Sequence, residues 1–404
     1  MMGDMDYQSA LASLFLPEGR VDPYPAYDVL RAHAPIFQAF DGRWFVTTHA
    51  LTSRLLRDPG LRIADAGDYD DFWPDWRENR GVASIVLSMV MTNPPDHSRV
   101  RRAAAATFTA RRVAAMRDVI AGQAEDLIKA MPRRMDFMSA FAYPLPIAVI
   151  CALLGIPETD RAWFRQRAGD LTVVLEPIST DEEMRLADVA GRELETYFAE
   201  LIEERRRAPQ EDLTSALVAV HDDTAGVALT GAELLANLVL LLVAGFETTT
   251  NLLGTGIRIL LEHPDQADRL RADQALAPAF VEEILRYDSP VQLTTRFTTG
   301  PLELADGVRV DDGAALTMLL GSANRDPARY PDPHRFDPDR RNIQPVSFGG
   351  GAHYCLGAPL ARLEAQVAFP LLLTMLPRLS LAGPPERRDR LVLRGYATLP
   401  VTTG

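Results

Sequence analysis

Cys355 stands inside Phe348-Gly349-Gly350-Gly351-Ala352-His353-Tyr354-Cys355-Leu356-Gly357-Ala358-Pro359-Leu360-Ala361-Arg362, a glycine loop followed by an apolar helical pattern. A cysteine beside a helix N-terminus has its thiolate stabilised by the helix dipole, the state that a metal ligand or a nucleophile requires. Gly349, Gly350, Gly351 and Gly357 leave room around the sulfur, so backbone can approach something flat. The residues alone leave three chemistries open: a catalytic thiol served by His353, a zinc ligand and a haem-iron ligand. Zinc is the weakest, because a tetrahedral site draws on several Cys and His side chains and only His353 is near in sequence. The bland alternative is a buried cysteine in a glycine turn.

A carboxylate and a run of hydroxyls interrupt the most apolar part of the chain. Thr230-Gly231-Ala232-Glu233 is a capping box, in which the threonine accepts from first-turn amides and the glutamate reaches back. The helix it starts runs to Glu262, where His263-Pro264 ends it, a length of ~50 Å at the usual rise. Apolar residues over 234–246 cover every face, so this half is expected to be buried, yet Gly245, Glu247, Thr248, Thr249 and Thr250 follow. Glycine and β-branched threonine weaken a helix, and a buried carboxylate is costly unless it is hydrogen-bonded or used. Local rules broken together point to a site. The structural alternative is that Glu247 marks where the helix meets solvent and that the threonines bond back to carbonyls four residues earlier.

The elements that must position these segments are mostly helical. Residues 113–131, 185–206 and 230–262 carry apolar side chains at three- and four-residue spacing. Asp41-Gly42 between 35–40 and 43–48 reads as a hairpin, and alternating runs at 291–298, 302–310, 315–320 and 391–401 read as strands. No repeat or linker divides the chain, so residues 1–404 read as a single domain, mainly α with a small β part. With 47% hydrophobic and 24% charged residues, a sizeable core is expected. The balance 42 − 55 = −13 argues against nucleic acid as the main partner. Two cysteines in 404 residues exclude a disulfide framework and fit a reducing cytoplasm. Asp4 and Asp6 stand where a signal peptide is basic, and the apolar stretch 234–246 is short of the ~20 residues of a membrane span, so a cytoplasmic protein with no membrane partner is expected.

Phe-Gly-x-Gly-x-His-x-Cys-x-Gly at 348–357 resembles the cysteine-ligand loop of the cytochrome P-450 superfamily, the haem-thiolate monooxygenases. Ala244-Gly245-Phe246-Glu247-Thr248 is similar to the oxygen-binding stretch of that family's long central helix, with glutamate in place of the commoner aspartate. Glu283-Ile284-Leu285-Arg286 resembles its Glu-x-x-Arg pair, and the order and spacing match over nearly the whole chain. The resemblance implies a single-domain cytochrome P-450 fold with haem b (heme, iron protoporphyrin IX) buried between the central helix and the cysteine loop. It makes Cys355 the axial thiolate, which pushes electron density onto the iron, and Phe348, Gly349 and Gly357 parts of the loop around it. Glu247 and Thr248 become the acid and alcohol that supply protons during oxygen activation, and Gly245 lets the helix approach the haem and bend. His97 and Arg101, four apart in a predicted helix, with Arg296 and His353, match positions that bind the haem propionates, while Arg99 or Arg102 is expected in solvent. Glu283, Arg286 and Arg335 match a structural ion network.

By the same resemblance the enzyme inserts one atom of O2 into a hydrophobic small molecule, by hydroxylation or epoxidation, in natural-product biosynthesis of the actinobacterial kind. Electrons come from NAD(P)H through a ferredoxin and a separate reductase, with a basic face at Arg111, Arg112 and Arg362 to attract the ferredoxin and the enzyme working as a monomer. Val86, Leu87, Val90, Leu240, Val243, Leu293 and Tyr396 are expected to line the substrate pocket, the alternative being that they pack the core. Two rivals stand beside this reading: the same fold performing oxidative coupling, desaturation or ring formation, and a non-catalytic haem carrier or sensor, against which Glu247 and Thr248 weigh.

Overall fold

The structure is a computed structural model that describes residues 6–224, 227–304 and 307–404. The acidic N-terminus up to residue 5 and the centre of the run 302–310 lie outside the described residues. The chain forms two compact units. One comprises Met1–Ile63, Thr255–Cys355 and Pro385–Ala397; the other comprises Ala64–Gly254, Leu356–Pro384 and Thr398–Gly404.

The first unit holds most of the β structure. Asp41-Gly42 turns the chain between Ile36–Gln38 and Trp44–Val46, and Gly42 takes the left-handed φ of 84° that a tight turn needs. A five-stranded sheet grows from this hairpin. Trp44–Val46 pairs in parallel with Ala315–Leu319, which pairs antiparallel with Leu293–Thr298, itself paired with Leu61–Arg62. Alternation along these strands sends Phe45 and Leu319 into a cluster with Tyr27 and Leu30, and Val46 and Met318 into another with Leu55 and Leu320.

The helix Ala277–Tyr287 carries the buried ion network of this unit. Arg286 Nε and Nη2 donate to Glu283 Oε2 and Oε1 at 2.6 and 2.7 Å, with both side chains fully buried. The third member is Arg340, not the expected Arg335: Arg340 Nε donates to Glu283 Oε1 at 3.2 Å. Arg335 turns its side chain outward to Asp337 and is 65% exposed, and it contributes only its carbonyl oxygen, which accepts from Arg286 Nη2 and Arg340 Nη2. The reason is the demand of a buried carboxylate for converging donors, which Arg340 and the Asp337 amide meet, the amide at 2.8 Å. Glu283→Gln is therefore expected to destabilise the protein by ~3–5 kcal/mol, because it strands two buried guanidinium groups. Arg335→Ala is expected to cost no more than ~1 kcal/mol. Urea unfolding distinguishes them, and equal losses would contradict the assignment of Arg340.

The second unit is helical. The patterns at 113–131 and 185–206 form Ala110–Lys129 and Asp181–Arg207, begun by Thr109 and Thr180 side chains that accept from the Arg112 and Glu183 amides. The central helix Gly231–Glu262 begins at the expected capping box, with the Glu233 amide donating to Thr230 Oγ1 at 3.2 Å and the Thr230 amide to Glu233 Oε2 at 2.8 Å. Through Gly254 it belongs to this unit, and from Thr255 to the first. Taken whole, this helix is long and apolar enough to cross a membrane, yet 56% of its most apolar window is buried inside the protein, as in a core helix.

Candidate functional site

Backbone hydrogen bonds close the cysteine loop. The Cys355 amide donates to the Phe348 carbonyl at 3.0 Å, the Tyr354 amide to Gly351 at 3.1 Å and the Gly349 amide to Val346 at 2.9 Å. Gly349 and Gly351 hold φ of 70° and 64°, and a Cβ on Gly351 would stand 2.4 Å from the Leu56 carbonyl oxygen, so only glycine builds this path. The Phe348 ring meets Tyr354 edge-on at 6.5 Å. Cys355 is left half-buried at the end of the loop, and Gly357 caps the helix Ala358–Met375. Cys151 offers no rival nucleophile: it is fully buried, and burial pushes its thiol up to about 12. Among the described residues no group of three or more His, Cys, Asp or Glu could hold a zinc ion.

On the central helix Glu247 is 1% exposed and Thr249, Thr250 and Asn251 are equally buried, so the helix does not emerge into solvent at the acid. Leu241, Ala244, Gly245 and Thr248, spaced i, i+3, i+4 and i+7, form an open strip on a helix otherwise buried here. Thr248 Oγ1 donates to the Ala244 carbonyl at 2.9 Å, the back-bond that the structural alternative foresaw. Its one hydroxyl hydrogen is thereby committed, and the oxygen is presented as an acceptor. Gly245 has a packing reason: a Cβ there would press within 3.0 Å of Ile150 Cδ1, from the helix Pro144–Leu154. The α-helix Gly231–Glu262 runs through Gly245 without a break. A glycine inside a helix costs ~1 kcal/mol of propensity, which the close approach of Ile150 explains.

Arg296 sits half-buried on Leu293–Thr298, where its Nη1 donates to Thr294 Oγ1 at 2.9 Å and to the Thr295 carbonyl at 2.8 Å. No carboxylate among the described residues pairs with it, and burial lowers it to about 10, a setting that favours an added anion. His97 is buried near the start of the helix Asp96–Thr107, with half-buried Arg101 one turn on; His353 is half-buried in the turn Gly351–His353. Arg102 is exposed, as one of the pair was expected to be. Arg99 is not: it donates to both Glu233 oxygens at 2.9 and 2.5 Å and to Asp96 at 3.0 Å, tying its helix to the start of the central helix. The Glu233 bonds hold its guanidinium above the ordinary value.

The expected substrate-lining residues divide. Val86 is buried with Trp76, Val82 and Ala83, Leu87 packs against that cluster, and Leu293 packs against the one around Tyr27. Leu240 and Val243 are buried on the central helix, and Val90 is 38% exposed. Tyr396 departs from expectation, because its buried ring lies 3.9 Å from the Arg387 guanidinium and 6.0 Å from that of Arg258, a charged setting instead of an apolar one.

Two residues escaped the sequence reading. Asn237 Oδ1 accepts from the Met89 amide at 3.1 Å while its Nδ2 donates to the Glu233 carbonyl at 2.7 Å, pinning Met89–Met91 to the central helix. The signal was an amide inside an all-apolar run, which must have buried partners. Glu364, on Ala358–Met375, is 1% exposed with Oε2 unpartnered among the described residues, and burial raises its carboxyl well above the usual carboxylate range. The folded state thus keeps a proton that the unfolded chain loses. Stability is fully present below the ordinary glutamate value and falls as pH rises towards the folded one. Glu364→Gln is expected to match the parent protein near about pH 4 and to exceed it at about pH 8, by ~1.4 kcal/mol for each pH unit separating the two states. Urea unfolding across that range checks this, and an unchanged pH dependence in the variant would contradict it.

The sequence profile of the Cytochrome P-450 family matches residues 164–394. The chain is 38% identical over 397 residues to cytochrome P-450 monooxygenase PikC of Streptomyces venezuelae, covering 94% of this chain and 91% of the relative. This chain belongs to the cytochrome P-450 family. It is a haem-dependent monooxygenase with haem b as cofactor. A second P-450 relative, 6-deoxyerythronolide B hydroxylase of Saccharopolyspora erythraea, is 38% identical over 394 residues, covering 94% of this chain and 96% of its own. The crystal structure of P-450BioI with hexadec-9Z-enoic acid ligated acyl carrier protein matches at TM-score 0.89 and 34% identity, covering 96% of this chain and 100% of that one. The fold expected from the sequence, mainly α with a small β part, is that of these P-450 enzymes. The residues present fit the cofactor. In the first unit, a half-buried cysteine at the end of a glycine loop and an Arg296 guanidinium with no carboxylate partner among the described residues suit the iron and the propionates of a porphyrin.

Proposed function

We propose that this P-450 inserts one atom of O2 into a hydrophobic small molecule, by hydroxylation or epoxidation, in the biosynthesis of a natural product. Electrons pass from NAD(P)H through a ferredoxin and a separate reductase to the enzyme, which works in the cytoplasm. Haem b, when bound, supplies the redox-active iron at which O2 is activated. Cys355 is its thiolate ligand, and His97, Arg101, Arg296 and His353 hold its propionates. The observation that carries the reading is the buried Glu247 beside Thr248 on the open strip. A water donating to Thr248 Oγ1 is oriented with its second hydrogen free for transfer, and the Glu247 carboxyl can replace the proton that such a water gives up. A carrier or sensor has no use for that pair.

The substrate class is supported by the names of the relatives, which carry 6-deoxyerythronolide B and hexadec-9Z-enoic acid, and by apolar Leu240, Val243 and Val90. Arg111 is exposed and Arg112 spends one N–H on the Asp212 carbonyl, which leaves basic surface for an acidic ferredoxin. Turnover under isotopically labelled O2, with ferredoxin, reductase and NADPH supplied, tests the reading. The product is expected to carry one labelled oxygen. A coupled, desaturated or cyclised product without it would move the enzyme to the rival chemistry.

A further inference from the structure

The first unit contains a cleft of about 460 Å³ built from arginines around a buried acid. Asp288 is 3% exposed; Arg387 Nη2 donates to its Oδ2 at 2.7 Å, and Arg394 Nε and the Tyr24 hydroxyl donate to its Oδ1 at 2.7 and 2.9 Å. Both oxygens are used. Burial alone would raise this carboxyl, but Arg394, Arg387 and Arg325 together hold it well below the usual carboxylate range, so it is a full anion.

One such anion does not answer the positive charge around it. Arg325, also buried, lies 3.6 Å from the Tyr24 ring and 4.2 Å from that of Tyr287. It donates to the Tyr287 carbonyl and to His334 Nδ1, and no carboxylate among the described residues pairs with it. The Arg387 side chain is 9% exposed, and its Nη1 is buried with no hydrogen-bond partner among the described residues. Arg258, paired with Glu262, leaves a buried Nε in the same condition. The other acids of the cleft do not help. Asp22 is exposed, and Asp28 is already bound by Arg31 and by His334 Nε2. Buried guanidinium N–H groups without acceptors are costly, and burial depresses Arg387 even with Asp288 beside it.

We propose that this cleft binds the oxyanion group, phosphate or carboxylate, of a small organic anion. The oxyanion accepts from Arg387 Nη1 and Arg258 Nε beside Arg325, a planar-donor arrangement that suits such groups. The cleft falls in the ~300–1,000 Å³ range of small-molecule sites and leaves room beyond the ion for an organic body. It shares no residue with those assigned to haem. A bound anion links the Tyr24 segment to the Arg387–Tyr396 segment and stabilises the protein by mass action.

Calorimetric titration of the holoenzyme with inorganic phosphate and, separately, with citrate, at fixed ionic strength in chloride, tests this. Saturable binding of phosphate alone identifies a phosphate ester as the ligand class, and binding of citrate a carboxylate; both support the site. Arg387→Gln leaves Asp288 its Arg394 and Tyr24 partners and is expected to weaken the binding about tenfold or more. Selenate diffused into crystals of the unaltered holoenzyme is expected to give an anomalous peak within hydrogen-bond distance of Arg387. No saturable binding above chloride, or selenate peaks only elsewhere, would overturn the proposal.

Discussion

Cys355→Ser is expected to abolish oxygenase turnover, a loss beyond the ~10–100-fold that removing an outer partner of a metal ligand costs. Serine keeps the loop closed, since the Cys355 amide bond to Phe348 and the left-handed glycines at 349 and 351 do not involve the sulfur. What it removes is the soft, electron-rich donor that favours cleavage of the O–O bond. Cys151→Ser is the control. That thiol is fully buried and pushed up to about 12, and its replacement is expected to leave product formation intact. Product measured by mass spectrometry with haem content checked by absorbance reads both variants. Comparable loss in the two would mean that thiol chemistry at 355 is not the source of activity.

Thr248→Ala is expected to retain haem and NAD(P)H consumption while the yield of product per NAD(P)H falls severalfold and hydrogen peroxide rises. The variant loses the acceptor oxygen that the Ala244 back-bond fixes in orientation. Glu247→Gln keeps the shape of the buried side chain but cannot carry a proton, and turnover is expected to slow by ~10²–10⁴-fold, the range of general acid catalysis. The two differ in signature: the first uncouples, and the second slows with a changed solvent isotope effect. Unchanged coupling in Thr248→Ala would remove that hydroxyl from proton delivery.

Both candidate segments are legible in the sequence because they break local rules. Three glycines before Cys355 make sense only where positive φ and close backbone approach are needed, and the structure needs both at Gly351. Glu247 in an all-apolar helix stood out for the same reason. The assignments that failed rest on long-range geometry. Arg335 and Arg340 lie in one arginine-rich loop, and nothing local says which of them turns inward to Glu283. Tyr396 reads as an apolar strand residue, and only the fold brings Arg258 and Arg387 to its ring. The packing role of Gly245 is equally non-local, because the space beside it is taken by Ile150, some hundred residues earlier in the chain. Glu364 lies in the apolar helical pattern that follows Cys355, and its burial comes from packing of the unit.

The most direct measurement of the central claim, that Cys355 places a thiolate on haem iron in this chain, is the absorption difference spectrum of the purified protein, reduced and exposed to carbon monoxide. The Soret position under these conditions reports the ligand opposite carbon monoxide. A thiolate-type band is expected in the parent protein and is expected to vanish in Cys355→Ser. A histidine-type band in the parent protein, or the same band in both proteins, would contradict the assignment of Cys355 and the oxygenase reading built on it.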